Sequence, residues 1–174
     1  ESIKIFLLFS ILPETFDDSM KIRMVDPMEI FAAKGNALIT RAAARDLYDW
    51  CNMLSEGLFE EQRDLFRKCF LFYMTISADT LNKSFDTSAI DTLDFNKIRR
   101  DLFPVLNKKD NFQLDERKKI AKNYISDLMV LTTKEKEYLD RFEEKKYMPE
   151  LLFEDAEIVE RVKNHPMALW KCKE

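Results

Sequence analysis

Glycine, histidine and paired cysteine are what this chain has least of: its 174 residues include 2 Gly, 1 His and 3 Cys. So few glycines suit a helical chain, because glycine is the ordinary residue that helices tolerate least. The single histidine, His165, has no nucleophile or metal-ligating partner near it in sequence and reads as a capping or surface residue. Cys51, Cys69 and Cys172 are odd in number, far apart and without a C-x-x-C pair or neighbouring histidine, which argues against a disulfide framework and against a zinc site. A reducing, cytoplasmic setting fits them best. Long apolar runs are also missing. The longest, Ile5 to Phe9 with Ile11 and Leu12, stops at Pro13, far short of the roughly 20 residues of a membrane span. Only Lys4 precedes it and no small-x-small cleavage site follows, so it reads as a buried strand and not as a signal peptide. Positive charge is not in excess: the net charge of −4 speaks against a whole-surface nucleic-acid binder and leaves room only for local contacts. No repeat or low-complexity tract is present.

What is there is apolar mass and helical periodicity. With 46% hydrophobic and 34% charged residues, the composition is that of one globular domain with enough material for a core. Two short stretches, Ile5 to Phe9 and Lys21 to Val25, read as strands, and two strands do not make a stable sheet. The expectation is a fragment whose remaining strands lie upstream, with strand pairing inside a dimer as the alternative. From Asp26 onward the pattern is helical, so the fold class is mainly α with a small β remnant. Asp26-Pro27-Met28-Glu29 is a helix start in which Asp26 caps, Pro27 needs no donor and Glu29 reaches back as a capping-box acid. That helix either breaks near Arg41 to Ala44 or continues to Leu54 before Gly57. Further helices are expected over Glu60 to Ala78, Asp94 to Phe103, Leu114 to Leu131, Thr133 to Lys146, opened by Thr132 with Glu135 three residues on, and Asp155 to Asn164, with a loop over 79–91 and a short turn at Pro166 to Trp170.

The stretch KGNALITRAAARDLYDW, residues 34–50, carries the chemistry. On one continuous helix, Lys34, Arg41, Arg45 and Asp49 share a stripe. Asp49 can pair with Arg45 at i, i+4, whereas Lys34 and Arg41 have no carboxylate on that stripe. Their neighbours Phe31, Leu38, Leu47, Tyr48 and Trp50 are apolar, and a half-buried unpaired cation is costly, so a phosphate-bearing ligand would neutralise it. The alternative is that Lys34 and Arg41 extend to water while Arg45, Asp46 and Asp49 form a packing ion-pair cluster.

DPMEIFAAKGNALITRAAARDLYDW, residues 26–50, resembles a motif of the AbiEii/AbiGii nucleotidyltransferase toxin family, with Glu-x-x-x-x-Lys followed by Arg-Asp-x-x-Asp. Lys34, Arg45, Asp46 and Asp49 fall on it in register. IKIFLLFSILP resembles a late strand of that family's catalytic sheet, and NHPMALWK, residues 164–171, its usual ending. The resemblance implies the C-terminal portion of a DNA-polymerase-β-like enzyme, residues 1–25 closing the catalytic sheet and 26–174 forming a helical domain. It implies a nucleoside triphosphate donor, a divalent metal such as magnesium, an RNA acceptor such as tRNA, no DNA for this portion, and a bacterial toxin–antitoxin or abortive-infection system with a separate antitoxin protein. The family's Gly-Ser motif and Asp-x-Asp pair, which hold the triphosphate and the metal, are absent from these 174 residues. The 174 residues alone are therefore expected to be inactive, since two-metal phosphoryl transfer needs converging carboxylates.

By position, the resemblance makes Lys34 a triphosphate contact and Asp46 the catalytic or orienting carboxylate. Arg45 and Asp49 either join the site, Arg45 as a nucleotide contact, or support it by locking the helix. Arg41 rests on the stripe alone. Phe70 to Met74 reads as core. Lys108-Lys109 and Arg117-Lys118-Lys119, flanked by acids, read as solvated faces. A non-enzymatic helical interaction module is the alternative function.

Overall fold

The computed structural model describes residues 25–77, 81–106 and 112–173, and among these the chain is helical, with no strand. The strand candidate Ile5 to Phe9, residues 21–24 of the second, and Lys108-Lys109 lie outside the described residues. No helix among those described is long and apolar enough to cross a membrane.

Helix α1 (Pro27–Thr40) begins as its sequence dictates. Asp26 Oδ1 accepts the Met28 amide at 2.8 Å, and Pro27 takes the first helical position, where no amide hydrogen is needed. Glu29 does not close a capping box. Its Oε2 accepts the Tyr73 hydroxyl at 2.7 Å and its Oε1 lies 3.4 Å from Arg161, because partners from two other helices reach it. After Thr40 the chain turns: the amides of Arg41 and Ala42 both bond Ala37 O, and Ala42 takes a left-handed conformation with φ 48°. Helix α2 (Ala44–Ser55) then starts without a side-chain cap, and Leu58 N bonds back to Met53 O after the left-handed Gly57.

Helix α3 (Arg63–Ser77) packs along α1, and α2 closes against both. Trp50 of α2 sits between Phe66 and Phe70 of α3, with ring centroids 5.8 and 6.0 Å away. Gly35 of α1 presents bare backbone to that cluster, and Asn36 beside it donates through Nδ2 to Ala32 O and, across the interface, to Phe70 O at 2.8 Å. A buried amide with two such bonds fixes the register of α1 on α3. Phe70, Leu71, Phe72 and Met74 are buried as expected, while Tyr73 is only partly so.

The remaining helices enclose this core. Helix α4 (Ser88–Asp91) occupies the expected loop, initiated by Asp86 accepting from the Ser88 amide at 2.9 Å and anchored by buried Ile90. Helix α5 (Phe95–Asp101) is capped by Asp94. Helix α6 (Leu114–Leu128) ends three residues before Leu131 and packs on α2, while α7 (Thr133–Glu143) ends before Lys146 and packs on α3. The Thr132/Glu135 capping box forms, and the second oxygen of Glu135 accepts Arg67 Nε at 3.0 Å, which is why this carboxylate can be 1% exposed. Helices α8 (Ala156–Val162) and α9 (Pro166–Lys173) complete the chain, α9 being a full helix where a turn was expected because Ala168 is buried, with α9 against α3.

Candidate functional site

The break at Arg41–Ala43 overturns the single-helix stripe and rearranges its charges. Lys34 Nζ reaches Asp49 Oδ2 at 2.5 Å, across the α1–α2 joint. Arg41 Nη2 lies 3.3 Å from Asp46 Oδ2, five residues on. The expectation that Lys34 and Arg41 lack carboxylates is therefore corrected, because folding α2 back beside α1 brings it two. Arg45 is turned away from them: its Nε donates to Asp101 O of α5 at 3.1 Å, and the Arg45–Asp49 pair expected at i, i+4 is not formed.

Lys34, Arg41 and Asp46 line an open groove of about 400 Å³ together with Ala33 and Ala37 of α1, Glu29 and Tyr73. Asp46 is in the first turn of α2, where the free amides favour an anion. Its side chain is 8% exposed, whereas that of Arg41 is 70% exposed, so this guanidinium is the partner that faces solvent. Asp49 stands behind Lys34 and holds its ammonium. Thus Lys34, Arg41, Asp46 and Asp49 are brought together, and Arg45 is not among them.

Glu29 and Tyr73 were missed by sequence reasoning, since one read as a capping acid and the other as core. They form the wall between the groove and a second cavity of about 350 Å³, lined by Cys69, Phe72, Phe153, Arg161 and His165. Burial, then the hydrogen bond to Glu29, push the Tyr73 phenol well above its ordinary value, so it remains a donor. His165 directly precedes α9, its carbonyl accepting the Leu169 amide at 3.1 Å, and its ring is partly buried, edge-on to Phe72 with centroids 5.2 Å apart, so of the capping and surface positions expected it takes the one at a helix start. The Arg117 guanidinium lies over Phe112 and bonds Asn52 at 3.2 Å, and Lys118 bonds Asp91 O at 3.2 Å, so both are engaged within the chain.

Among the described residues no three acid, histidine or cysteine side chains converge on a point where a cation would sit. Asp46 and Asp49 are each tied to a cation, so these residues do not fit a divalent metal.

All three cysteines are free. Burial pushes Cys51 up to about 11, and burial together with the Glu29 and Asp26 carboxylates pushes Cys69 up to about 12. Because the thiolate is the nucleophile, alkylation of both at pH 8 is expected to be slower than for an ordinary thiol by roughly a hundredfold or more. Mass spectrometry after brief iodoacetamide treatment should find them unlabelled in folded protein and labelled in urea. Rapid labelling of Cys69 in the folded protein would contradict this.

A family model described as the nucleotidyl transferase AbiEii toxin, of a type IV toxin–antitoxin system, matches residues 6–145. No curated protein and no solved structure matches the chain. The matched region covers α1 to α7 and all the groove residues, and on that match the chain belongs to the AbiEii nucleotidyl transferase toxin family of type IV toxin–antitoxin systems.

Proposed function

We propose that the α1–α2 joint is the part of a nucleotidyltransferase toxin that receives a nucleoside triphosphate, whose nucleotidyl group passes to a hydroxyl of an RNA acceptor such as tRNA as pyrophosphate leaves. The observation that carries this reading is the joint itself, which sets Lys34, Arg41 and Asp46 along one groove. Lys34 contacts the phosphates as a point charge, and Arg41, largely exposed, swings onto them. Asp46 is the catalytic carboxylate, orienting the reacting hydroxyl, and Asp49 positions Lys34. Arg45 locks α2 onto α5. The magnesium-holding carboxylates are those of the family's Asp-x-Asp pair, supplied from outside these residues. The toxin acts in the cytoplasm and is opposed by an antitoxin protein.

The test is titration of the four nucleoside triphosphates against the complete toxin and its Lys34→Ala variant. Loss of a charge-assisted hydrogen bond worth about 1.5–3 kcal/mol should weaken binding roughly 10- to 150-fold. The Lys34–Asp49 pair is about one third exposed on both sides, so its loss costs stability only about 0–1 kcal/mol and the melting temperature should move by a few degrees at most. Unaltered affinity with a large drop in melting temperature would return Lys34 to a packing role.

A further inference from the structure

Away from the groove, the corner where α5 meets the turn Phe103–Val105 leaves apolar side chains in water. Phe95, Phe103 and Val105 are 59%, 38% and 61% exposed. The two rings touch edge to face, with centroids 5.7 Å apart and planes at 84°. Cations outnumber acids here although the chain is acidic overall: Lys97, Arg99, Arg100 and Arg45 gather with Asp94 and Asp101. Asp101 is shared between Arg100, at 2.6 and 2.8 Å, and Arg45 through its carbonyl. Asp91, the next acid along the chain, is held by Lys122 at 2.7 Å. Arg99 is exposed and takes part in no ion pair among the described residues.

We propose that this corner docks the single-stranded part of the acceptor RNA, through base stacking on Phe95 and Phe103 and phosphate contacts from Arg99 and Arg100. Exposed rings and exposed guanidinium groups on one short helix and the turn after it are the combination that a single strand satisfies at every nucleotide, since each carries one stacking face and one anion. An apolar protein partner would instead have to desolvate those guanidinium groups. A duplex keeps its base faces stacked inside and offers the rings nothing. Two rings near a right angle splay neighbouring bases apart, which suits an unpaired segment. The corner is not remote from the groove, because the Arg45–Asp101 bond ties α5 to the residue preceding Asp46.

This inference rests on the reading that the acceptor is RNA, and its test uses no nucleoside triphosphate. Fluorescence anisotropy with a labelled, unstructured single-stranded oligoribonucleotide of about twelve nucleotides reads the surface alone. Phe95→Ala should weaken binding roughly tenfold with an unchanged melting temperature, because the ring is mostly in solvent. Arg99→Ala should weaken it as well and lower the slope of log affinity against log salt by about one. Phe103→Ala should act like Phe95→Ala; if it also lowers the melting temperature, Phe95→Ala decides. Unchanged binding by Phe95→Ala, or competition by a duplex of the same sequence as strong as by the single strand, overturns the proposal. So does failure of the parent chain to bind the oligonucleotide, which would give the corner to a protein partner. Lost triphosphate binding in Lys34→Ala beside unchanged RNA binding in Phe95→Ala would leave the donor site standing and place the acceptor elsewhere.

Discussion

Gly35→Ala is expected to destabilise the protein by about 2–3 kcal/mol, the net of severe overpacking and a small gain in helix propensity. A Cβ built on Gly35 runs into Trp50 Cζ3 and stands 2.5 Å from Phe70 Cε2 and 2.6 Å from Trp50 Cη2, where carbon atoms need roughly 3.5–4.0 Å. Neither ring can withdraw, since Trp50 and Phe70 are both 0% exposed and locked against Phe66 and each other. Overpacking typically costs about 1–3 kcal/mol and occasionally more, and contacts this short with two locked rings put this site at about 3–4 kcal/mol, from which alanine in a helix interior returns about 0.8–1.0 kcal/mol over glycine. For a chain of this size the melting temperature should fall by roughly 5–10 °C. Gly57→Ala is the control: nothing lies within 4 Å of its Cβ position, so only the left-handed φ of 63° opposes the substitution, at about 1–2 kcal/mol. A Gly35→Ala protein that melts with the parent would mean that α1 and α2 do not approach as closely as described.

Asp46→Asn is expected to lower nucleotide transfer by about 10²- to 10⁴-fold, the span over which a positioned acid or base acts. Asp49→Asn should leave transfer within about tenfold of the parent, because an amide can still accept a hydrogen bond from Lys34. Asp46 lines the groove and Asp49 stands behind Lys34, so the substitutions act at different distances from the proposed phosphate position. Asp46→Asn weakens the helix-dipole interaction, about 0.3–1 kcal/mol, and an ion pair to an exposed arginine, about 0–1 kcal/mol, so it should stay folded. The measurement pairs transfer by the complete toxin with thermal melting for each variant. Normal transfer by Asp46→Asn, or inactivity confined to Asp49→Asn, would reverse the two roles.

Local chemistry was legible from the residue order. The Asp26 cap with Pro27, the Thr132/Glu135 capping box and the Phe70–Met74 core stretch each depend on neighbours a few positions apart, and the helical fold class followed from them and from periodicity. The resemblance of residues 26–50 agreed with the family that the matched region 6–145 shows.

The course of the chain between Thr40 and Ala44 could not be read in that way. Alanine favours continuing a helix, and the sequence left both a break and a continuation open. What decided for the break is burial: Ala42 and Ala44 are each 3% exposed, and Leu47 and Trp50 reach the core only if α2 folds back across α1 and α3. The left-handed residue Ala42 is the local cost of that packing. The same turn exchanged the ionic partners, giving Asp49 to Lys34, Asp46 to Arg41 and Asp101 O to Arg45, while the packing of α3 on α1 drew Glu29 from its expected cap to Tyr73. Sequence by itself determined the helical class and the local caps, and it put Lys34, Arg41, Asp46 and Asp49 on one short stretch, because residue type and short spacing are written in the chain. Tertiary structure alone decided which charges meet, because burying Trp50 set the direction of α2 and with it the Lys34–Asp49 and Arg41–Asp46 pairs.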